Sequence, residues 1–193
     1  MTDLGEMGWI LGIQITCNHE KGTLALSQEK FINEILEHYK MSNSHPISTL
    51  ALPNKHLIKL SSSKVDAKSY QHALGSLIYP MLETQPDLGY AIATLGHHAT
   101  NPGLDYQHAL KHVFHYLRAT SNQQLVFGQG ASDGSMLFSY ANADWASDIN
   151  NHKSMSSYVF KLASATVSWS SKKLHTKILC LTSFDRSYQN LFP

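Results

Sequence analysis

The sequence predicts an α+β protein in which a β-hairpin comes first, a group of helices follows and a set of short strands comes last. Apolar residues form short stretches bounded by turn residues at both ends of the chain, whereas in the middle they recur every three or four residues. The first pattern is typical of strands and the second of amphipathic helices. Because the pattern changes near residue 125, the helices and the last strands occupy separate regions.

The chain begins with a hairpin and a helix. Residues 9–16 are rich in β-branched and apolar side chains, and the turn at 18–22 is followed by a second apolar stretch at 23–26. Ser27 is the predicted N-cap of a helix over 28–40. The apolar face of that helix comprises Phe31, Ile32, Ile35, Leu36 and Tyr39.

Prolines and polar residues divide the middle of the chain. The segment 42–65 contains two prolines and many Ser and Asn residues without sustained periodicity, so we predict a linker or surface loop. A helix is predicted from Asp66, and Pro80 should kink or shorten it because proline lacks the N–H that an inner helical turn needs. Further helices are predicted to start near Pro86 and Asp105.

The last predicted helix has one apolar face and one basic face. The apolar positions are Leu110, Val113, Phe114 and Leu117, and the basic positions are His108, Lys111, His112, His115 and Arg118. The three histidines stand at i, i+4 and i+7, a spacing that could present imidazoles to zinc. A solvated helix face is the simpler interpretation, and both interpretations stay open here.

Three short alternating stretches, 135–141, 156–162 and 165–170, predict a meander of antiparallel strands. A basic run that includes Lys172 and Lys173 follows the last of them. The chain therefore divides into four predicted regions: 1–41 with the hairpin and the first helix, 42–65 as the linker, 66–125 with the other helices, and 130–193 with the strands.

The composition is that of a folded protein, with 42% hydrophobic and 15% charged residues. The formal net charge of +1 gives no global positive field, so binding of nucleic acid would depend on where the charges lie. The two cysteines lack Cys-x-x-Cys spacing, the N-terminus lacks a signal-peptide pattern, and no segment has the length of a membrane span. We therefore expect an intracellular protein, cytoplasmic or nuclear, without a membrane partner.

Seven short motifs, in this order along the chain, resemble the polymerase of copia-type retrotransposons. They are LGIQI (11–15), LSQ (26–28), GSLIY (75–79), PDLGYA (86–91), NPG (101–103), ADWA (143–146) and VSWSSKK (167–173). The resemblance implies the end of a reverse transcriptase and the start of its ribonuclease H. Region 1–41 would hold an end-of-palm hairpin and the start of the thumb, 66–125 a helical thumb and connection, and 130–193 a truncated ribonuclease H-like sheet.

The resemblance also implies where polymerase catalysis would lie. In the family, a Tyr-x-Asp-Asp loop holds two magnesium ions just before the segment that 11–15 resembles. No Tyr-x-Asp-Asp occurs in this chain. Because the two-metal mechanism needs carboxylates that position both ions, we do not expect the chain to synthesise DNA by itself.

For the ribonuclease H unit, the resemblance implies an acidic cluster that binds Mg²⁺ or Mn²⁺ and cleaves RNA in an RNA–DNA hybrid. Asn142 stands where the family carries its first aspartate, and Asp185 stands where a glutamate is expected. A neutral amide in place of a carboxylate lowers the affinity for Mg²⁺, which relies on one or two carboxylates in proteins. Asp144 and Asp185 are therefore vestigial candidates for catalysis and metal binding.

The partners that the resemblance implies are an RNA–DNA hybrid or other nucleic acid and the remainder of the polymerase polyprotein. Candidate contacts with a nucleic-acid backbone are Lys111, His112, His115, Arg118, Lys172 and Lys173. Two alternatives stay open. One is a residual metal-dependent nuclease that uses Asp144 and Asp185, and the other is a domesticated domain that binds a host partner.

Overall fold

The structure, a computed structural model, describes residues 5–50, 65–128, 136–144 and 154–173. Helices and antiparallel sheets follow one another in the predicted order, which confirms the α+β class. The strands are β1 (Trp9–Ile10), β2 (Ile13–Asn18), β3 (Thr23–Ser27), β4 (Leu125–Phe127), β5 (Leu137–Asp144), β6 (Met155–Leu162) and β7 (Ala165–Lys173). The helices are α1 (Glu29–His38), α2 (Ala67–Ser76), α3 (Ile78–Glu83), α4 (Leu88–Gly96) and α5 (Leu104–Ala119).

The first sheet has the strand order β1-β2-β3-β4, and each neighbouring pair is antiparallel. The predicted hairpin is its centre, with Ile15 of β2 opposite Leu26 of β3. β1 leads into β2 through Leu11 and Gly12, whose φ angles are 49° and 80°. Two positive φ angles in a two-residue loop match the right-handed twist of the strands that the loop joins.

The strand β4 was not predicted. The sequence indicated that the helical region extends to 125, but 125–127 pairs with β3, with Val126 opposite Ala25. Three residues carry too little alternation for a strand signal, so this strand is defined by its long-range pairing alone. After α5 the chain therefore returns to the first sheet before it enters the second, and the predicted boundary between 125 and 130 stays a prediction.

Four of the helices, α1, α2, α4 and α5, share one apolar core, and α1 and α5 contribute to it the faces predicted from their apolar spacing. Its buried residues include Ile32, Ile35, Leu36, Tyr70, Leu74, Leu88, Ile92, Leu95, Leu110, Val113, Phe114 and Leu117. The Tyr70 hydroxyl donates a hydrogen bond to Leu95 O at 3.1 Å within this core. None of the described helices is long and apolar enough to cross a membrane.

The helix boundaries depend on a few residues. Ser27 was predicted as the N-cap of α1, but Gln28 takes that position, and the Ser27 hydroxyl oxygen accepts a hydrogen bond from Glu29 N at 3.3 Å. The interruption predicted at Pro80 is confirmed, because the chain forms the two short helices α2 and α3 in place of one. Pro80 lies in the first turn of α3, where a helix does not need the missing N–H.

The predicted meander is confirmed in the second sheet, which has the strand order β5-β6-β7 with antiparallel pairing. Within the described residues, β5 pairs with one neighbour only and lies at the edge of the sheet. Its residues Leu137, Phe138 and Tyr140 are 60%, 49% and 61% exposed. The edge strand therefore presents apolar and aromatic side chains to solvent.

The strand β7 joins the second sheet to the helices. Trp169 Nε1 donates a hydrogen bond to Met81 O in α3 at 2.7 Å. Two residues further along β7, Ser171 lies close to Gly89 of α4. A Cβ built on Gly89 would lie 3.9 Å from Ser171 Cβ, which is ordinary van der Waals contact. A helix and a strand thus approach closely at Gly89, and the sheet is packed against the helices along β7.

Candidate functional site

Two rows of cross-strand neighbours form the end of the second sheet where the metal-binding position is predicted. The rows are Asn142–Ser157–Ser171 and Asp144–Met155–Lys173, each running from β5 through β6 to β7. Adjacent strands lie about 4.8 Å apart, so each row spans about 10 Å. Directly opposed residues share a face of the sheet. The structure therefore brings the predicted positions on β5 and the predicted lysines of β7 to the same end of the sheet.

These rows do not fit a two-metal site. Asp144 is the only carboxylate residue in them, Asn142 is an exposed neutral amide, and the second row ends in the cation Lys173. Within the described ranges, no group of three or more His, Cys, Asp or Glu side chains could hold a metal ion. Asp185 lies outside the described residues. Within the described residues, the donor set at the end of β5 therefore does not match the carboxylate cluster that binding of two metal ions needs.

Lys172 and Lys173 occupy the last two positions of β7. Successive residues of a strand point to opposite faces of the sheet, so the two ammonium groups are separated despite being neighbours in sequence. Lys172 is exposed and Lys173 is half-buried, and burial lowers the pKa of the Lys173 ammonium group. The predicted basic pair is therefore two distinct cations, of which Lys172 is the more accessible to a ligand.

The basic face of α5 is partly covered by residues 42–50, which we call the strap. The strap runs antiparallel to α5, and three basic side chains of the helix contact it. The contacts are Arg118 Nε to Ser42 O at 2.8 Å, His115 Nδ1 to His45 O at 2.8 Å, and His112 Nε2 to Thr49 Oγ1 at 3.3 Å. Lys111 is exposed on the same helix. The structure thus separates Lys111 from the three other predicted contacts of α5.

His115 contacts the strap through its main chain as well as its side chain. Its carbonyl oxygen accepts a hydrogen bond from Ile47 N at 3.3 Å. Met41, just before the strap, and Leu50, its last residue, pack against the helical core. The predicted linker or surface loop is therefore attached to α5 over this part of its length. The sequence contains little signal for this attachment, because main-chain groups are common to every residue type.

The histidine spacing on α5 does not produce a zinc site in the described structure. His112 and His115 face acceptors or donors of the strap, and His108 is exposed. No cluster with enough metal-ligating side chains occurs among the described residues. Hydrogen bonds with the strap explain the placement of His112 and His115, so no metal ion is needed to explain it.

An exposed apolar patch around β1 and its turn into β2 is a feature that was missed from the sequence. Met7, Trp9, Ile10 and Leu11 are 58%, 52%, 44% and 83% exposed. Leu11 has a positive φ, which is unfavourable for a leucine, and its carbonyl oxygen accepts a hydrogen bond from the Tyr79 hydroxyl. The apolar run that begins at Trp9 could have indicated this patch, but such a run is equally typical of a buried strand.

A groove of about 660 Å³ lies between α1 and α2. Phe31, Ile35 and Tyr39 contribute apolar and aromatic surface to it, and Glu34 and Lys68 contribute opposite charges. The Glu34 carboxylate would repel a phosphate group in this groove. The mixed lining therefore separates this groove from the predicted nucleic-acid contacts on α5 and β7.

The chain is similar to Pol polyproteins of plant transposons. The Retrovirus-related Pol polyprotein from transposon TNT 1-94 of Nicotiana tabacum is 37% identical over 195 residues, covering 97% of this chain and 14% of that protein. The corresponding protein from transposon RE1 of Arabidopsis thaliana is 32% identical over 172 residues, covering 89% of this chain and 11% of that protein. The chain thus spans 14% or less of the length of these two relatives.

A much shorter relative is Secreted RxLR effector protein 161 of Plasmopara viticola. It is 38% identical over 122 residues, covering 63% of this chain and 83% of that protein. No protein-family model matches the chain, and no solved structure matches it. Because the similarity to the two plant Pol polyproteins extends over 89% and 97% of its residues, the chain belongs to the family of copia-type retrotransposon Pol polyproteins and corresponds to a segment of them.

Proposed function

We propose that the chain is a segment of a copia-type reverse transcriptase and ribonuclease H that lacks catalytic activity by itself and binds nucleic acid weakly. In this proposal, β1 to α1 end the palm and begin the thumb, α2 to α5 form the thumb and connection, and β5 to β7 begin a ribonuclease H-like sheet. The order of hairpin, helices and antiparallel meander supports this division. The observation that carries the proposal is the single carboxylate residue in the two rows at the end of β5.

Each kind of catalysis is absent for its own reason in this proposal. DNA synthesis needs the carboxylates of a Tyr-x-Asp-Asp loop, and the chain contains none. Cleavage of RNA needs a cluster of carboxylates around two metal ions, but Asn142 replaces one of them and Asp144 shares its row with Lys173. A cation about 10 Å away also repels a divalent metal ion, although only weakly in a solvated site.

Weak binding of nucleic acid is supported by accessible cations on two elements. Lys111 of α5 and Lys172 of β7 are exposed, and both can contact phosphates. Two such contacts neutralise few phosphates, so the affinity should be low and should fall with added salt. The ligand would be an RNA–DNA hybrid, the remainder of the polyprotein would be the second partner, and the compartment would be cytoplasmic or nuclear.

Replacing Lys111 with alanine is expected to weaken binding of a labelled RNA–DNA hybrid and to reduce the slope of log K against log salt by about 1. The reason is the loss of one phosphate contact and of the counterions that it releases. Fluorescence anisotropy at several salt concentrations measures both quantities. Lys30→Ala is the matched control, because Lys30 is exposed on α1. Equal affinities for the wild type and Lys111→Ala would contradict the role of α5.

Two other functions are candidates, and each has its own discriminating result. A residual nuclease would use Asp144 and Asp185 with Mg²⁺ or Mn²⁺ and would cleave the hybrid. A domesticated interaction domain is favoured by the effector of Plasmopara viticola, in which a similar segment makes up 83% of the protein. Such a domain would bind a protein partner with little dependence on salt.

A further inference from the structure

We infer that the strap limits nucleic-acid binding by occupying hydrogen-bonding groups of α5, an inference that rests on the proposed function. The groups belong to His112, His115 and Arg118, three of the side chains predicted to contact nucleic acid. Two of the strap's contacting atoms are main-chain carbonyl oxygens, and the third is a hydroxyl oxygen. All three atoms are uncharged, and a nucleic-acid backbone would compete with them for the same side chains.

Phosphate oxygens are favoured in this competition because they carry charge. A hydrogen bond in which both groups are ionised is stronger than one between a cation and a neutral carbonyl group. Arg118 gains most, since a guanidinium is always protonated and its fork of donors fits a phosphate. In the structure, Arg118 Nε is bound instead to Ser42 O at 2.8 Å. The exchange of a carbonyl for a phosphate at Arg118 is therefore the favourable step in displacing the strap.

The strap is attached in a way that permits residues 42–49 to be released. Asn43, His45 and Ser48 are exposed and add little packing, so the polar contacts with α5 and the half-buried Ile47 hold this part. Met41, just before the strap, and Leu50, its last residue, behave differently because both pack against the helical core. Release of residues 42–49 would thus free the groups of α5 that the strap contacts and leave the core of the helices in place.

The double variant Ile47→Pro, Thr49→Val tests the inference while all basic groups of α5 remain. Proline removes the N–H that Ile47 donates to His115 O, and valine removes the hydroxyl group near His112. Faster solvent exchange of the Arg118 Nε–H, measured by NMR, reports the release. We expect the released protein to bind an RNA–DNA hybrid about ten-fold more tightly, with a salt slope that is steeper by about 1.

Arg118→Ala provides a second and independent arm of the experiment. In the protein with its strap in place, this change should alter the affinity by less than about two-fold, whereas in the double variant it should remove most of the gain. The inference is overturned if release leaves the affinity and the salt slope unchanged, or if Arg118→Ala alone weakens binding as much as Lys111→Ala. Absence of binding by both the wild type and the released protein would overturn the proposed function as well.

Discussion

The substitution Leu117→Ala is expected to lower the free energy of unfolding by about 3–5 kcal/mol. Leu117 has no exposed surface and lies on α5 beside Val113 and Phe114, which are 1% and 3% exposed. Removing three carbon atoms there leaves a cavity that closely packed neighbours cannot fill. Chemical denaturation followed by circular dichroism measures the change.

The control for this core substitution is Leu82→Ala, which makes the same chemical change on α3. Leu82 is 56% exposed, so its replacement should alter the free energy of unfolding by less than about 1 kcal/mol. If the two substitutions lowered the free energy of unfolding by similar amounts, the apolar face of α5 would not be the face that packs in the helical core. The comparison thus tests the helical core without reference to any function.

The substitution Gly128→Ala is expected to lower the free energy of unfolding by about 3 kcal/mol, because a left-handed backbone and a steric clash act together. Gly128 has a φ of +86°, and a Cβ there would lie 2.2 Å from the main-chain oxygen of Gly22 in the β2–β3 turn. The Gly128 N–H also donates to Ala163 O at 2.8 Å. A shift of the chain at Gly128 would therefore disturb the contact between the two sheets.

Gly12→Ala separates the backbone strain from the clash. Gly12 has a φ of +80°, but a Cβ added there would meet no atom within 4 Å, so its replacement should cost only about 1 kcal/mol. The difference between the two alanine variants, measured by the same denaturation method, gives the energy of the close approach between β4 and the β2–β3 turn. Equal losses would contradict that approach.

The helices could be predicted because their signals are local. The apolar residues of α5 recur at helical spacing, and Leu110, Val113 and Phe114 are buried as that spacing requires. Pro80 acts on its own helix, so its effect could be predicted without knowledge of any distant contact. The three strands of the second sheet were predicted for a similar reason, since each alternates over a sufficient length.

Features that depend on distant partners could not be predicted. The strand β4 is defined by its pairing with β3, and the strap is held through main-chain groups that leave no pattern of side chains. The charge run at Lys172 and Lys173 does not show by itself that the two side chains point to opposite faces of a strand. The first two features depend on residues that are distant in the sequence. The third depends on the direction in which each side chain points.

The candidate site shows the same division. The sequence could identify Asn142 as a neutral residue at a position where the family carries a carboxylate. It could not identify Ser157 and Lys173 as neighbours on adjacent strands, because the register of pairing decides which residues lie opposite each other. The roles of Asp144, Asp185 and the predicted nucleic-acid contacts stay predictions.

Incubation of the purified chain with a labelled RNA–DNA hybrid, in the presence of Mg²⁺ or Mn²⁺, tests the central claim most directly. Binding and cleavage are followed in the same samples over a range of salt concentrations. The predicted result is binding that weakens as salt is added, with the RNA strand left intact under both metal conditions. Cleavage of the RNA that disappears in the Asp144→Asn variant would contradict the account.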